Sequence, residues 1–339
     1  MGATKAVATI QQSKTAVSRI KRIARLPVFA RMPLSPSLPS LCLWYAWNEG
    51  IIEQKPVPGI EISIIEISIP GTGYGWLQLE HMLTHPDETL DRLTSRLNII
   101  QKRRGHRAAS DDTLLAWAAA RTRPDAVRVL DLGSGKGTVA MLLLQRLPSC
   151  RVIGLEALEV SHELANRNAR LNSLRDRWNP RFGDLRDPCI LAGESRFDLI
   201  TGAPPFMPVG SGVMPEDPQR AAGRFELRGG VRDYAEAAVR YLAKGGKVVF
   251  LMDGLESSRS RALQALAAAG LTPNNVTAVH PFPGRGPIYR IFEASADLRS
   301  ITEQSLCMRI DGKSGFSPEY EAIRREMDCA LPESGSRGQ

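Results

Sequence analysis

From about residue 101 to 293 the chain alternates short apolar runs with longer amphipathic ones, and few folds can accommodate that order. Strand-like runs at 127–131, 151–155, 197–202 and 247–252 are separated by helix-like runs at 138–147, 160–172, 231–242 and 257–269. Two more strand-like runs follow at 276–280 and 288–293, and 86–100 reads as a helix or strand leading into the body. Strands that recur beyond intervening helices pair in parallel, and a parallel sheet must be covered on both faces. The expectation is therefore an α/β fold, a mostly parallel Rossmann-like sheet with helices on both sides. In such sheets ligands bind outside the carboxyl ends of the strands, so the strand ends carry the chemistry.

The first strand ends in Asp131-Leu-Gly-Ser-Gly-Lys-Gly137. Glycines at 133, 135 and 137 permit a sharp turn and a close approach of backbone to ligand. A dinucleotide fingerprint, G-x-G-x-x-G, fails because the sixth position counted from Gly133 is Thr138. A phosphate-binding P-loop also fails, since Lys136-Gly137-Thr138 has the wrong order. Glu156 ends the next strand and can accept both ribose hydroxyls of an adenosine. Gly183-Asp184 ends a third strand, where an acid can take an adenine amino group. Three acids at successive strand ends beside a glycine turn suit an adenosine ligand without a pyrophosphate, namely S-adenosyl-L-methionine. The bland alternative is that the glycines serve only helix–strand packing.

Strand 197–202 ends in Ala203-Pro-Pro-Phe206. Two residues without an N–H end the sheet and fix a rigid corner. Phe206 can offer a ring face to a flat acceptor, where base stacking is worth roughly 1–3 kcal/mol. The following segment, 207–230, is long and rich in Gly and Pro, as a substrate loop would be.

The net charge of +8 over 339 residues suggests a nucleic-acid partner, yet seven of the basic residues fall in 1–48, which has no acid. The remainder holds 37 basic against 36 acidic residues. RNA contact must therefore rest on local clusters such as Lys102-Arg103-Arg104, with the alternative that they are solvated surface. Residues 1–48 have the composition of a transit segment or a disordered basic arm. Residues 49–87 read as an N-terminal extension, 88–296 as the catalytic domain and 297–339 as a C-terminal extension that loses the strand–helix pattern. Five cysteines without CxxC spacing support neither a zinc site nor a disulfide framework. No apolar run approaches the roughly 20 residues of a membrane span. The expected compartment is the cytoplasm, or the mitochondrion of a eukaryotic source if the tail is a transit segment.

These motifs resemble the class I methyltransferases of the "small domain" group with an Asn-Pro-Pro-aromatic corner. The similarity is greatest to the tRNA(Val) anticodon-loop adenine N6-methyltransferases. Besides the glycine turn and the corner, it includes Gln101-Lys-Arg-Arg-Gly-His-Arg107 with Asp111-Asp112-Thr-Leu-Leu115, which resembles that family's entry segment beside the methionine end of the cofactor. It also includes Arg220-Ala-Ala-Gly-Arg-Phe-Glu226 and the final Gly284-Arg-Gly-Pro-Ile-Tyr-Arg-Ile-Phe-Glu293. The resemblance implies a seven-stranded sheet and S-adenosyl-L-methionine held by Arg107, Asp112, Asp131, Gly133, Ser134, Gly135, Gly137, Glu156 and Asp184. It implies an acceptor corner of Ala203, Pro204, Pro205 and Phe206, with Arg224 and Glu226 on the substrate loop. No metal is expected.

At the first corner position the family has Asn or Asp, whose oxygen accepts from the target amine; this chain has Ala203. Three outcomes stay open: Glu226, Asp217 or Glu216 replaces that acceptor, the acceptor chemistry differs, or the domain does not methylate. The leading expectation is N-methylation of a base in tRNA or rRNA. The alternatives are methylation of a protein amide or a small molecule, and a silent binding or assembly module.

Overall fold

The computed structural model describes residues 84–297, 300–312 and 315–329. The expectations for residues 1–48 and for most of 49–87 lie outside the described residues. In chain order the elements are β1 (Glu88–Arg92), β2 (Asn98–Lys102), α1 (Ser110–Thr122), β3 (Arg128–Leu132), α2 (Thr138–Arg146), β4 (Arg151–Glu156), α3 (Glu159–Leu171), β5 (Trp178–Phe182) and β6 (Phe197–Gly202). There follow α4 (Pro218–Arg224), α5 (Val231–Tyr241), β7 (Leu242–Asp253), α6 (Glu256–Ala268), β8 (Thr272–His280), β9 (Tyr289–Ser295), β10 (Thr302–Cys307) and α7 (Pro318–Glu326).

Eight strands form one sheet in the order β10-β8-β9-β7-β6-β3-β4-β5. Every neighbouring pair is parallel except those of β9, which runs against both β7 and β8. The period of two along each strand sorts its side chains between two cores. Val129, Val152, Leu199, Val249 and Leu251 pack on one face with α1 and α2. Leu130, Ile153, Ile200, Val248 and Phe250 pack on the other with α5 and α6. Leu114 and Leu115 are almost fully buried in the first core, and each such side chain stabilises by about 1.5–3 kcal/mol. Helix α1 was not anticipated from the sequence, because apolar residues crowd most of its surface and blur the 3.6-residue period.

The expected count of seven strands is corrected to eight. Strand β10 pairs parallel with β8 from Thr302↔Asn275 to Cys307↔His280. It is a polar, mostly exposed edge strand, so it lacks the apolar signal that marks the inner ones. Helix α7 follows, capped by the Ser317 hydroxyl accepting from the Tyr320 N–H, with Pro318 in its first turn. Tyr320 and Ile323 bury in the first core. The segment expected to lose the pattern thus contains a strand and a helix of the domain.

The β1–β2 hairpin is antiparallel and rests on α3. Buried Asn168 of α3 accepts from the Ile100 N–H at 2.7 Å and donates to the carbonyls of Ile100 and Lys136, both at 3.1 Å. One amide therefore ties the hairpin to the glycine turn. Glu88, 1% exposed, pairs with Arg167 at 2.8 Å and also with Lys102 at 3.3 Å. These contacts hold its carboxyl near pKa 2 despite the desolvation that opposes them. Among the described residues no helix is long and apolar enough to cross a membrane.

Candidate functional site

The carboxyl ends of β3, β4 and β6 open onto one cleft whose empty volume, open solvent included, is ≈ 1140 Å³. At its floor the glycine turn leaves β3. Gly133 and Gly137 have φ of +62° and +92°. A Cβ on Gly133 would lie 2.0 Å from the Tyr234 hydroxyl, and one on Gly137 would lie 1.9 Å from the Trp178 ring. These two glycines are demanded by backbone and packing together. Gly135 differs: a Cβ there would meet nothing within 4 Å, so the turn is open on the cleft side.

Glu156 joins β4 to that turn. Its two oxygens accept from the Gly135 N–H at 2.8 Å and the Leu158 N–H at 2.6 Å. Burial raises its pKa, and these backbone bonds oppose the rise. Asp131 is 2% exposed and accepts from the Thr201 hydroxyl of β6 at 2.8 Å. Desolvation pushes its carboxyl up to about 7, against that bond, with the charges of Asp112 and Glu156 adding to the rise. Asp111 is raised to about 6, chiefly by desolvation and then by the Asp112 charge.

Of the residues expected to hold the cofactor, Asp112, Asp131, Gly133, Ser134, Gly135 and Glu156 line this cleft. Ala203, Pro205 and Phe206 of the corner line it too. The cofactor turn and the corner, 66 or more residues apart in sequence, therefore share one cavity because β6 pairs beside β3. Asp112 also has a local task, accepting from the Ala109 N–H at 3.0 Å to cap α1.

The remaining candidates are placed elsewhere. Arg107 turns to the hairpin, donating to Asp91 at 2.8 Å, to the Thr89 hydroxyl at 3.0 Å and to the Lys102 carbonyl at 3.1 Å. Asp184 is held by Arg186 at 2.5 Å, which lowers its pKa, and its neighbour Gly183 meets the cleft instead. Gly137 caps α2 against Trp178, and Pro204 is buried outside the lining. Arg224 is exposed on α4. Glu226 pairs with Arg261, whose other arm donates to the Phe206 carbonyl at 3.0 Å. One guanidinium thus clamps the corner to the substrate loop. Asp217 is spent on the Arg220 N–H at 2.8 Å as the cap of α4, and Glu216 is exposed. None of the three acids that could replace the acceptor at residue 203 lines the cleft.

Several lining residues were not among the expected site residues, His106, Asp111, Lys136, Gln219, Arg228 and Tyr234 among them. His106 was visible only within Gln101–Arg107, as part of a basic run and of the segment that resembles the family's entry segment. Burial and the Lys136 charge lower its pKa, which favours a neutral imidazole. Tyr234, on α5, stacks edge-to-face on Phe250 with centroids 6.1 Å apart, and burial lifts its phenol far above the ordinary range. Gln219 of α4 is buried, its amide N–H donating to the Ser161 hydroxyl at 2.9 Å. Its only sequence signal was membership of the segment 207–230, read as a substrate loop. Lys136 and Asp111 adjoin expected residues and were legible by position alone.

The cleft keeps polar atoms that the protein does not satisfy. Asp111 Oδ1, Asp131 Oδ2, Ser134 Oγ and Gln219 Oε1 are buried without a partner. Each such atom costs about 1–3 kcal/mol when left unpaired. Four carboxyl groups converge there, at 111, 112, 131 and 156, with Lys136 and Arg228 among them. An acceptor-rich, acidic cleft with an open glycine turn fits a cationic ligand bearing hydroxyls and an ammonium group, as S-adenosyl-L-methionine does. Among the described residues no group of His, Cys, Asp and Glu is arranged to hold a metal ion.

Residues 112–214 match the family described as Methyltransferase small domain. The chain is 30% identical over 226 residues to a tRNA1(Val) (adenine(37)-N6)-methyltransferase of Porphyromonas gingivalis, covering 63% of this chain and 85% of that protein. A protein of the same description from a second strain of that species is 30% identical over 237 residues, covering 66% and 89%. A release factor glutamine methyltransferase of Mycolicibacterium smegmatis is 31% identical over 180 residues, covering 51% and 62%.

Proposed function

The chain belongs to the tRNA1(Val) (adenine(37)-N6)-methyltransferase family and is an S-adenosyl-L-methionine-dependent methyltransferase, and from that premise we propose that it methylates an exocyclic amine of a base in RNA. The observation that carries the reading is the single cleft in which the open turn at Gly135, Glu156 and the Pro-Pro-Phe corner meet. On this reading the catalytic domain runs from β1 at Glu88 through α7 at Glu326. Glu156 accepts the ribose hydroxyls, Asp131 and Ser134 bond the cofactor with their free polar atoms, and Asp111 and Asp112 attract its amino group. The cofactor supplies a methyl group on a sulfonium centre.

The protein's own contribution is positioning and charge. Phe206 offers a ring face at the cleft, and Arg261 fixes its backbone. The carboxyl groups at 111, 112, 131 and 156 outnumber the cations of Lys136 and Arg228 at the cleft, which favours a cationic ligand over a neutral one. Residue 203 supplies no side-chain acceptor, so target orientation falls to main-chain carbonyls and to stacking. No buried base is required, because a methylated aryl amine sheds its proton to solvent. An RNA substrate places the reaction in the cytoplasm, or in the mitochondrion if residues 1–48 are a transit segment.

The test is transfer of labelled methyl to separate pools of tRNA, rRNA and release-factor protein. Label recovered as a methylated base from the tRNA pool is the expected result. Label confined to protein, the activity that the Mycolicibacterium smegmatis protein's name describes, would overturn the RNA assignment while leaving the cofactor in place.

A further inference from the structure

His106 lies between β2 and α1, and its ring lines the cleft. Among the described residues no hydrogen bond or ion pair holds either ring nitrogen. A Cβ on Gly223 of α4 would lie 3.0 Å from Nδ1 and 3.3 Å from Cε1 and Cγ. The Nδ1 side of the ring therefore rests on α4, and Nε2 is the nitrogen left for the cleft. The next residue of α4 ties this place to the acceptor corner. The Arg224 carbonyl accepts from the Met207 N–H at 2.9 Å, and the Met207 carbonyl accepts from the Glu226 N–H at 3.0 Å. Met207 directly follows Phe206. Contacts thus run from His106 through Gly223 and Arg224 to the corner, whose Ala203, Pro205 and Phe206 share the lining with the imidazole.

An exocyclic amine on a stacked base presents two N–H donors. A main-chain carbonyl of the corner takes one, and the methyl group at residue 203 leaves the other without an acceptor. A neutral imidazole nitrogen accepts such a bond, and an imidazolium does not. Desolvation, Lys136 of the glycine turn and Arg224 of α4 disfavour protonation of the ring, against Asp112 of α1, which favours it. The balance keeps the accepting form. Gln219 Oε1 is a second free acceptor of the lining, but its amide is tied to Ser161 of α3 at 2.9 Å. Helix α3 follows β4, which β3 separates from β6 and the corner.

We propose that His106 is a catalytic residue whose free imidazole nitrogen accepts one N–H of the target amine, the contact that residue 203 cannot make. The assignment rests on the RNA-amine reading given above and names the side chain that orients the amine. With one N–H on the imidazole and the other on a carbonyl, the nitrogen is held in one orientation and its lone pair stays free, which is where positioning acts on a transfer. The imidazole only accepts a hydrogen bond, and no proton transfer is assigned to it.

A double-mutant cycle on the full chain tests this, with labelled-methyl transfer to tRNA and calorimetric titration of S-adenosyl-L-methionine measured for the wild type, His106→Phe, Ala203→Asn and the double variant. His106→Phe should lower kcat/KM for tRNA by about 10²-fold or more and leave cofactor affinity within about threefold. Ala203→Asn should raise transfer about tenfold more in the His106→Phe background than in the wild type, because the acceptor it adds replaces the one removed. Equal gains in the two backgrounds overturn the assignment, and so does transfer by His106→Phe within about threefold of the wild type. A loss of cofactor affinity that matches the loss of transfer also overturns it, marking a ring that serves the cofactor end. If His106→Phe does not fold, His106→Leu takes its place in the same cycle. Wild-type protein that methylates no RNA removes the RNA reading itself, and the proposal with it.

Discussion

Replacing Glu156 by glutamine separates what its carboxylate does for the turn from what it does for a ligand. Its two oxygens accept from Gly135 and Leu158 at 2.8 and 2.6 Å. Glutamine keeps one carbonyl oxygen, so one of these N–H groups loses its acceptor, at a cost of about 1–3 kcal/mol. Against this, burial raises the Glu156 pKa, which means that desolvation of the charge opposes folding. The neutral amide removes that opposition. The two effects have opposite signs, so the net change in unfolding free energy should stay below the cost of the lost acceptor, about 3 kcal/mol. Ligand binding has no such compensation. A charged acceptor for hydroxyls is worth about 1.5–3 kcal/mol, so affinity for S-adenosyl-L-methionine should fall by about ten- to 150-fold. Urea melts and calorimetric titration of both proteins measure the two quantities. A loss of affinity below about threefold with stability intact would refute the ligand role. A stability loss above about 3 kcal/mol would show that the carboxylate chiefly builds the turn.

Three further outcomes follow from the same geometry. Gly137→Ala should destabilise by about 3 kcal/mol or more in urea melts, combining the roughly 1–2 kcal/mol cost of left-handed backbone with the overlap against Trp178; a change under about 1 kcal/mol contradicts the packing. Asp131 titrates near 7 in the fold against 3.8 for the ordinary group. The folded state then holds a proton that the unfolded chain has lost, and the stability of the ligand-free protein falls as pH rises from about 4 to 7. Asp131→Asn should abolish that component, and equal pH slopes in the two proteins would refute it. Ala203→Asn adds an amide at an exposed cleft position, so folding should change by about 0.5 kcal/mol or less. Methyl transfer to tRNA should rise by up to about 10²–10³-fold, the value of one well-placed polar group; unchanged transfer with unchanged cofactor affinity would show that the missing acceptor is not what limits this chain.

The strand–helix alternation was legible because inner strands of a parallel sheet are apolar on both faces, and β3, β4, β6 and the core of β7 appear nearly where the pattern put them. Strand β10 was not, since Thr302–Ser305 is polar and gains its place by pairing with β8. Helix α1 was hidden for the reverse reason: Leu114, Leu115 and its alanines are buried around so much of the helix that periodicity fades. In the site, residues tied to strand ends were readable, because the sheet fixes where Asp131 and Glu156 lie. Asp184 had the same signal, but the adjacent Arg186 captured it, and a two-residue charge pair in a loop follows from local geometry rather than from motif spacing. Gln219 and Tyr234 reach the cleft from helices far along the chain, and only tertiary packing delivers them.

The division of polar atoms in the cleft bears on how the protein carries its ligand site. Around Glu156 the backbone satisfies the carboxylate, so that end is built and rigid before anything binds. At Asp111, Asp131, Ser134 and Gln219 an atom is left buried without a partner. A ligand that supplies donors to those atoms needs no new backbone order, because the turn and α1 already hold the acceptors in place. Binding then stabilises the protein against unfolding by mass action. On the other side of the cleft, exposed Ala203 and half-buried Phe206 leave no buried side-chain polar atom unpaired. Specificity for the second substrate must accordingly be generated by contacts made on arrival, and the corner can vary in sequence without disturbing the cofactor end.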